Sequence, residues 1–186
     1  MRVVPTELPE VLVVEPDVYR DQRGFFLESY HETRYRAQGI PGRFVQDNHS
    51  RSVAGTIRGL HLQTPAMAKL VRVVLGTIYD VVVDVRVGSP NFGRWVAVTL
   101  SADNFKQCYV PGGFAHGFCA LSEVVDVEYK CSEFYEPTAE IGILWSDPQI
   151  GVRWPVENPQ LSERDRRNPT LAEVNSRLPQ FGPSGR

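Results

Sequence analysis

Apolar positions in this chain come in short runs rather than in long helical periods. Val, Ile, Thr, Phe and Tyr fill segments 11–15, 24–30, 42–52, 55–63, 68–75, 77–85, 95–100, 107–110, 116–120, 124–131 and 141–146. Runs of this length and composition predict β-strands. Turn-forming stretches separate them, among them Asp21-Gln22-Arg23-Gly24, Val53-Ala54-Gly55, Gly88-Ser89-Pro90-Asn91-Phe92-Gly93 and Pro111-Gly112-Gly113. Many short strands punctuated in this way predict an all-β sandwich or barrel. From Val71 to Val87 the sequence is almost continuously apolar, broken by Gly76. That stretch reads as a hairpin buried on both faces, or as a sheet at a dimer interface. Helix is scarce. Segment 32–38 predicts one or two turns ended by Gly39, and segment 162–168 a second short helix with Ser162 as N-cap and Pro169 as its stop. A single domain is expected over residues 1–171, followed by a loose tail over 172–186, rich in Pro, Gly and Ser towards its end.

Composition narrows the partners. The formal net charge of -2 supplies no global field towards nucleic acid or an acidic membrane. A phosphorylated ligand must therefore be held by local basic side chains. No apolar run is long enough to span a bilayer as a helix, and the N-terminus lacks the apolar core of a secretory signal. A cytoplasmic protein with no membrane or nucleic-acid partner is expected. Cys108, Cys119 and Cys131 show no Cys-X-X-Cys spacing, so they are expected to be buried thiols in a reducing compartment.

The chemistry concentrates in one stretch. Arg58, His61 and Lys69 fall within a dozen residues of strand-like sequence, and His116 ends another such run. His31 lies beside a charged helical segment and reads as surface. The segment Pro111-Gly112-Gly113-Phe114-Ala115-His116 matches one of the two metal motifs of cupin barrels. The other motif begins with Gly55 and His61, but Gln63 stands where its second histidine belongs, and position 67 is Met and 69 is Lys where a glutamate belongs. An ammonium in place of a carboxylate ligand argues against a divalent ion. The expectation is a cupin-type double-stranded β-helix, a jelly-roll barrel with short peripheral helices, that keeps the cavity without a metal. Such a cavity still suits removal of a proton beside a carbonyl. Histidine is the natural base and lysine the natural counter-charge for the enolate. A carboxylate orients the base, for which Asp165 is a candidate, and Tyr129 is a candidate acid for the opposite face.

Taken in order, the motifs resemble one family. Asp21-Gln22-Arg23-Gly24-Phe25-Phe26-Leu27-Glu28, Gln46-Asp47-Asn48-His49-Ser50, Ile57-Arg58-Gly59-Leu60-His61-Leu62-Gln63 and Lys69-Leu70-Val71-Arg72-Val73 are similar to dTDP-4-dehydrorhamnose 3,5-epimerases. So are Pro111-Gly112-Gly113-Phe114-Ala115-His116, Tyr129-Lys130-Cys131, Trp145-Ser146-Asp147-Pro148 and Ser162-Glu163-Arg164-Asp165. The resemblance implies a cofactor-free, metal-free homodimer acting on dTDP-4-dehydro-6-deoxy-D-glucose. It implies catalytic roles for His61 as base, Asp165 as its partner, Lys69 at the C4 oxygen and Tyr129 as acid. It implies that Arg58 binds pyrophosphate, with Arg23 reaching in from the partner subunit. Phe26, Glu28, Gln46, Asp47, Asn48, His116, Glu140 and Arg164 are then expected at the substrate, and Tyr135 stacked on thymine. The segment from His61 to Lys69 is shorter than is usual in the family. Three alternatives stay open: an epimerase acting at C3 or C5 alone, a metal-dependent cupin enzyme, and a nucleotide-sugar binding protein without catalysis.

Overall fold

A computed structural model describes residues 1–40 and 43–182. Two antiparallel sheets face each other. The first runs in the order β1 (Arg2–Pro5), β2 (Leu12–Glu15), β10 (Gln107–Val110), β7 (Lys69–Leu75), β12 (Val124–Cys131), β5 (Gln46–Val53). The second runs β13 (Glu140–Gly142), β6 (Ile57–Gln63), β11 (Phe114–Ala120), β8 (Thr77–Asp84), β9 (Trp95–Ser101). A separate exposed hairpin joins β3 (Val18–Asp21) to β4 (Gly24–Leu27). The sandwich expected from the strand pattern is what the chain forms. The short strands β1 and β3, each with a charged residue at one end, were not among the predicted runs.

Strand alternation builds both the core and the site. On β5 the side chains of Gln46, Asn48, Ser50 and Ser52 are the more buried set, and those between them are exposed. Cross-strand register then sets rows on the inner face of the first sheet: Gln46, Cys131 and Lys69; Asn48, Tyr129 and Val71; Ser50, Val127 and Val73. The rows become more apolar along the sheet. At the apolar end Val71, Val73 and Val127 pack against Ile78, Val82, Phe114 and Phe118 of the second sheet to form the main core. The polar end is left as a cavity.

The stretch 71–87 is not a hairpin. β7 and β8 lie in different sheets, and Gly76 is where the chain crosses between them. Gly76 has φ +78°, and a Cβ there would stand 2.5 Å from the carbonyl oxygen of Val124. The apolar density is high because both strands are buried, and periodicity cannot tell one sheet from two.

The tail also departs from expectation as far as residue 182. Helix α3 (Leu171–Val174), opened by a capping box between Thr170 and Glu173, buries Leu171 and Val174. Together with Leu178 these cover the outer face of the second sheet around Val81, Val83 and Val85. Gln180 bridges to Val87, and the guanidinium of Arg86 lies over the ring of Phe181. Few apolar residues spread through polar sequence suffice, because a partner surface was already waiting. The helix predicted at 32–38 is α1 (Glu32–Ala37), and the one at 162–168 is α2 (Glu163–Arg166), capped by Ser162 as anticipated. The strand expected from 42 opens at Gln46, and Gly42 itself lies outside the described residues.

Gly76→Ala should destabilise the fold by about 2–3 kcal/mol, since both the backbone conformation and the carbonyl resist it. Gly93→Ala, at φ +79° but with open space around it, should cost about 1 kcal/mol. Urea unfolding of both variants is the measurement, and equal losses would remove the role of the close approach.

Candidate active site

The cavity between the polar ends of the two sheets has a volume of about 390 Å3. Its floor and walls draw on both sheets. Asn48, Lys69 and Tyr129 come from the first, and His61, His116 and Glu140 from the second. His61 and His116 are directly paired across β6 and β11. The register shifts just beyond them, where Gly59 and Gly117 meet. A Cβ on Gly59 would lie 2.6 Å from the Cα of Gly117, so the two strands approach this closely only as glycines. That irregularity carries the strands from the histidine pair to Arg58 and Phe118, which are opposed in the next register.

His61 is held by a carboxylate. Its Nε2 lies 2.5 Å from Oδ1 of Asp165, on α2. Asp165 is buried, yet its carboxylate is well supplied with donors. Ser162 Oγ donates to Oδ2 at 2.9 Å and Asn168 Nδ2 donates to Oδ1 at 3.3 Å. Burial pushes the Asp165 carboxyl up, but the bonds from His61 and Ser162 and the nearby Arg164 outweigh it, leaving its pKa below the usual value. Asp165 is thus ionised and accepts the Nε2 hydrogen, which leaves the Nδ1 lone pair as the basic one. Asn168 has room because Gly142 faces it; a Cβ on Gly142 would collide with the Asn168 amide.

Nδ1 of His61 lies 3.8 Å from Glu140 Oε1. Oε2 of Glu140 accepts from Tyr135 Oη at 2.8 Å and from Arg164 Nη1 at 2.5 Å. Burial raises the Glu140 carboxyl, and the bonds from Arg164 and Tyr135 more than offset it, so its pKa is lowered. Across the cavity, Lys69 Nζ stands 5.9 Å from the centre of the Tyr129 ring. Burial depresses the Lys69 ammonium against the opposing pull of Cys131, Glu140 and Asp80. Burial raises the Tyr129 phenol, which therefore stays protonated at neutral pH. An imidazole on one sheet thus faces a phenol and an ammonium on the other.

Arg58 and Arg164 stand at the exposed mouth. Arg58 donates through Nε to Ser52 Oγ and through Nη2 to the carbonyl of Arg51. Tyr135 is exposed at the same rim, its backbone N–H donated to Gln46 Oε1. Four expected residues lie outside this cavity. Asp47 falls on the outward parity of β5 and pairs with Lys130 at 3.0 Å. Arg23 pairs with Asp21, Glu28 with Arg34, and Phe26 is exposed on the β3–β4 hairpin. Cys131 and Ser50 line the cavity unannounced, although their parity on β12 and β5 predicts it. Ser162, Asn168 and Asp80 also had no expected part at the site, and only tertiary contacts reveal them. All three cysteines are free and buried, and His31 is exposed, as expected. Gln63, at the cupin motif's second histidine position, donates to Phe134 O and accepts from Glu136 N–H, clasping the rim.

Comparison with known proteins settles the kinship. A family model described as dTDP-4-dehydrorhamnose 3,5-epimerase matches residues 5–173. The chain belongs to this family. It is 52% identical over 168 residues to the dTDP-4-dehydrorhamnose 3,5-epimerase of Shigella flexneri, covering 89% of this chain and 93% of that one. The crystal structure of the Legionella pneumophila 3,5-epimerase in complex with dTDP-4-keto-L-rhamnose superposes with a TM-score of 0.95 at 45% identity, covering 98% of this chain and 99% of that one. A dTDP-4-dehydrorhamnose 3-epimerase of Streptomyces niveus is 40% identical over 177 residues, covering 94% of this chain and 86% of that one. The fold is the cupin-type jelly roll of these epimerases, as the motifs implied.

The lowered pKa of Asp165 links the site to acid stability. Its contribution is complete above the unfolded-state value, near the ordinary 3.8, and is lost as pH falls through the lower folded-state value. Asp165→Asn should therefore lose less stability than the parent across that acid window, in urea titrations stepped from pH 5 to pH 2. An identical acid limb in both proteins would show that Asp165 is not ionised by its donors.

Proposed function

We propose that the chain inverts C3 and C5 of dTDP-4-dehydro-6-deoxy-D-glucose to give dTDP-4-dehydro-L-rhamnose. The observation that carries this reading is the placement of His61 with Asp165 on one sheet, opposite Tyr129 and Lys69 on the other, across a single cavity. His61 Nδ1 takes the proton from carbon, and the C–H electron pair moves onto the C4 oxygen. Lys69 stabilises the resulting enolate, an interaction strengthened because its ammonium is held among buried groups. Tyr129 returns a proton to the same carbon from the opposite face, the C4 ketone re-forms, and the centre is inverted. The phenolate regains a proton from solvent and His61 gives up to solvent the one it took, which resets both groups. C3 and C5 both flank C4, so one base and one oxyanion site serve both carbons in turn. These steps use side chains of the chain alone.

The arginines at the mouth suit a pyrophosphate, which they can grip in pairs of hydrogen bonds. Arg58 is the anchor in this reading. Arg23, Phe26 and Glu28 stand on a hairpin whose Tyr19, Phe25 and Phe26 are largely exposed. We infer a homodimer in which this hairpin closes the partner's nucleotide site and buries those rings. Asp47, on the outer face of the first sheet, is in this reading part of that interface rather than of the sugar site. Three free, buried thiols suit the cytoplasm, and no helix among the described residues is long and apolar enough to cross a membrane.

The 3-epimerase relative supports a second reading, inversion at a single carbon. Incubation with the 4-keto sugar nucleotide in D2O separates them. Deuterium at C3 and C5 with inverted product is expected; deuterium at one carbon selects the mono-epimerase, and none at either sinks both. Two substitutions then separate chemistry from binding. Lys69→Ala should lower kcat by about 10²-fold or more, as loss of an oxyanion contact does, with dTDP affinity kept. Arg58→Ala should mainly weaken dTDP binding, measured by calorimetry. Reversal of that pattern would exchange the two roles.

A further inference from the structure

The cavity holds a second histidine–carboxylate pair, and its surroundings are the reverse of the first. Asp80 of β8 is completely buried, and its Oδ1 lies 2.7 Å from Nε2 of His116. Its Oδ2 is buried with no hydrogen-bond partner. Among the described residues His116 is the only cationic-capable group within ion-pair distance of Asp80. Cys108 is hydrogen-bonded to Asp80 through its weakly donating thiol, which burial and that carboxyl push well up, so it offers Asp80 no compensating charge. The other titratable groups facing the pair across the cavity are His61, Lys69, Tyr129, Cys131 and Glu140.

Burying an uncompensated carboxylate is costly, so the pair is most stable when its net charge is zero. Two arrangements meet that condition. In one, ionised Asp80 accepts from an imidazolium. In the other, protonated Asp80 donates to Nε2 of a neutral ring. Both leave a hydrogen on Nδ1, because in the first each ring nitrogen is protonated and in the second the only ring proton is on Nδ1. The nitrogen makes no hydrogen bond among the described residues and is not sealed from the cavity that His116 lines. Asp165 differs because Ser162 and Asn168 already satisfy it. It therefore remains an anion beside a ring whose Nδ1 carries a lone pair.

We propose that Asp80 is a positioning residue that makes His116 a hydrogen-bond donor, through Nδ1–H, to an oxygen of the bound sugar. The cavity then presents two imidazoles of opposite polarity side by side on paired strands: His61 takes a proton and His116 offers one. Beside Lys69, the natural acceptor is the C4 oxygen, where charge accumulates. This deepens the epimerase reading and rests on it for the identity of that oxygen, while the polarity of the ring does not.

Nitrogen NMR of the free protein with 15N-labelled histidine tests the polarity directly, with His116→Gln identifying the signals. At pH 7 the Nδ1 of His116 should resonate as a protonated nitrogen, and in Asp80→Asn it should move to the lone-pair position, since an amide oxygen accepts Nε2–H without demanding charge balance. Steady-state kinetics supplies the second readout. Asp80→Asn should lower kcat by about 10²-fold, the usual loss of one oxyanion donor, with KM changed only a few-fold. A lone-pair Nδ1 in the parent overturns the proposal, and so does parent-like kcat in Asp80→Asn. Should that variant not fold, the parent spectrum still decides, and it decides even if the D2O experiment goes against the epimerase reading.

Discussion

A carboxylate taken out of water between two sheets must find donors or give up its charge, and this constraint organises much of the molecule. Three of the buried aspartates meet it in different ways. Asp84 is gripped by the guanidinium and backbone N–H of Arg86 and by Ser89. Asp147 accepts from the backbone N–H groups of Gln149, Ile150 and Leu171, and so fixes the start of α3 against the second sheet. Asp165 collects His61, Ser162 and Asn168. The first two solutions make structure, because their donors are satisfied within the fold. The third shapes the cavity, because satisfying the carboxylate leaves the other ring nitrogen of His61 free on the cavity side.

The division of labour between the sheets follows from the same alternation that builds the core. Inward positions at one end carry valines and pack, while the same parity at the other end carries Gln46, Lys69, Asn48 and Tyr129. No special element is needed to create the site; the strands run past the end of the apolar core. Because the sandwich has two inner faces, groups on opposite sheets approach a ligand from opposite sides. Inversion of a carbon centre needs that geometry, with the base and the acid separated by the plane of the enolate.

Sequence made the candidate residues that share the cavity legible, since His61, Lys69 and Tyr129 are unusual on strands that are otherwise apolar. It also showed the capped helix holding Asp165. What it could not show depended on partners distant in the chain. The crossing at Gly76 was invisible because both flanking strands are buried, whichever sheet they join. The docked tail was missed because Leu171, Val174 and Leu178 are only three apolar residues in polar sequence, and their value lies in the sheet face they cover. Asn168 and Asp80 were missed for a related reason. Asn168 acts through Asp165, and Asp80 sits in an ordinary strand run where only the contact with His116 distinguishes it.

The segment between His61 and Lys69 carries a final constraint. It crosses from the second sheet to the first, so it joins His61 to Lys69 through a short length of chain. It is also tied down along its length. Gln63 clasps the 134–136 rim through both ends of its amide, Thr64 donates its N–H to Ala139 O, and Ala68 exchanges bonds with Ser132 through its N–H and carbonyl. Met67, within the loop, is buried against the cavity it lines. A short crossing with this many anchors holds His61 and Lys69 at a fixed separation while placing an apolar side chain in the cavity wall. The segment therefore shapes one wall of the cavity, and leaves His61 and Lys69 each seated on its own strand.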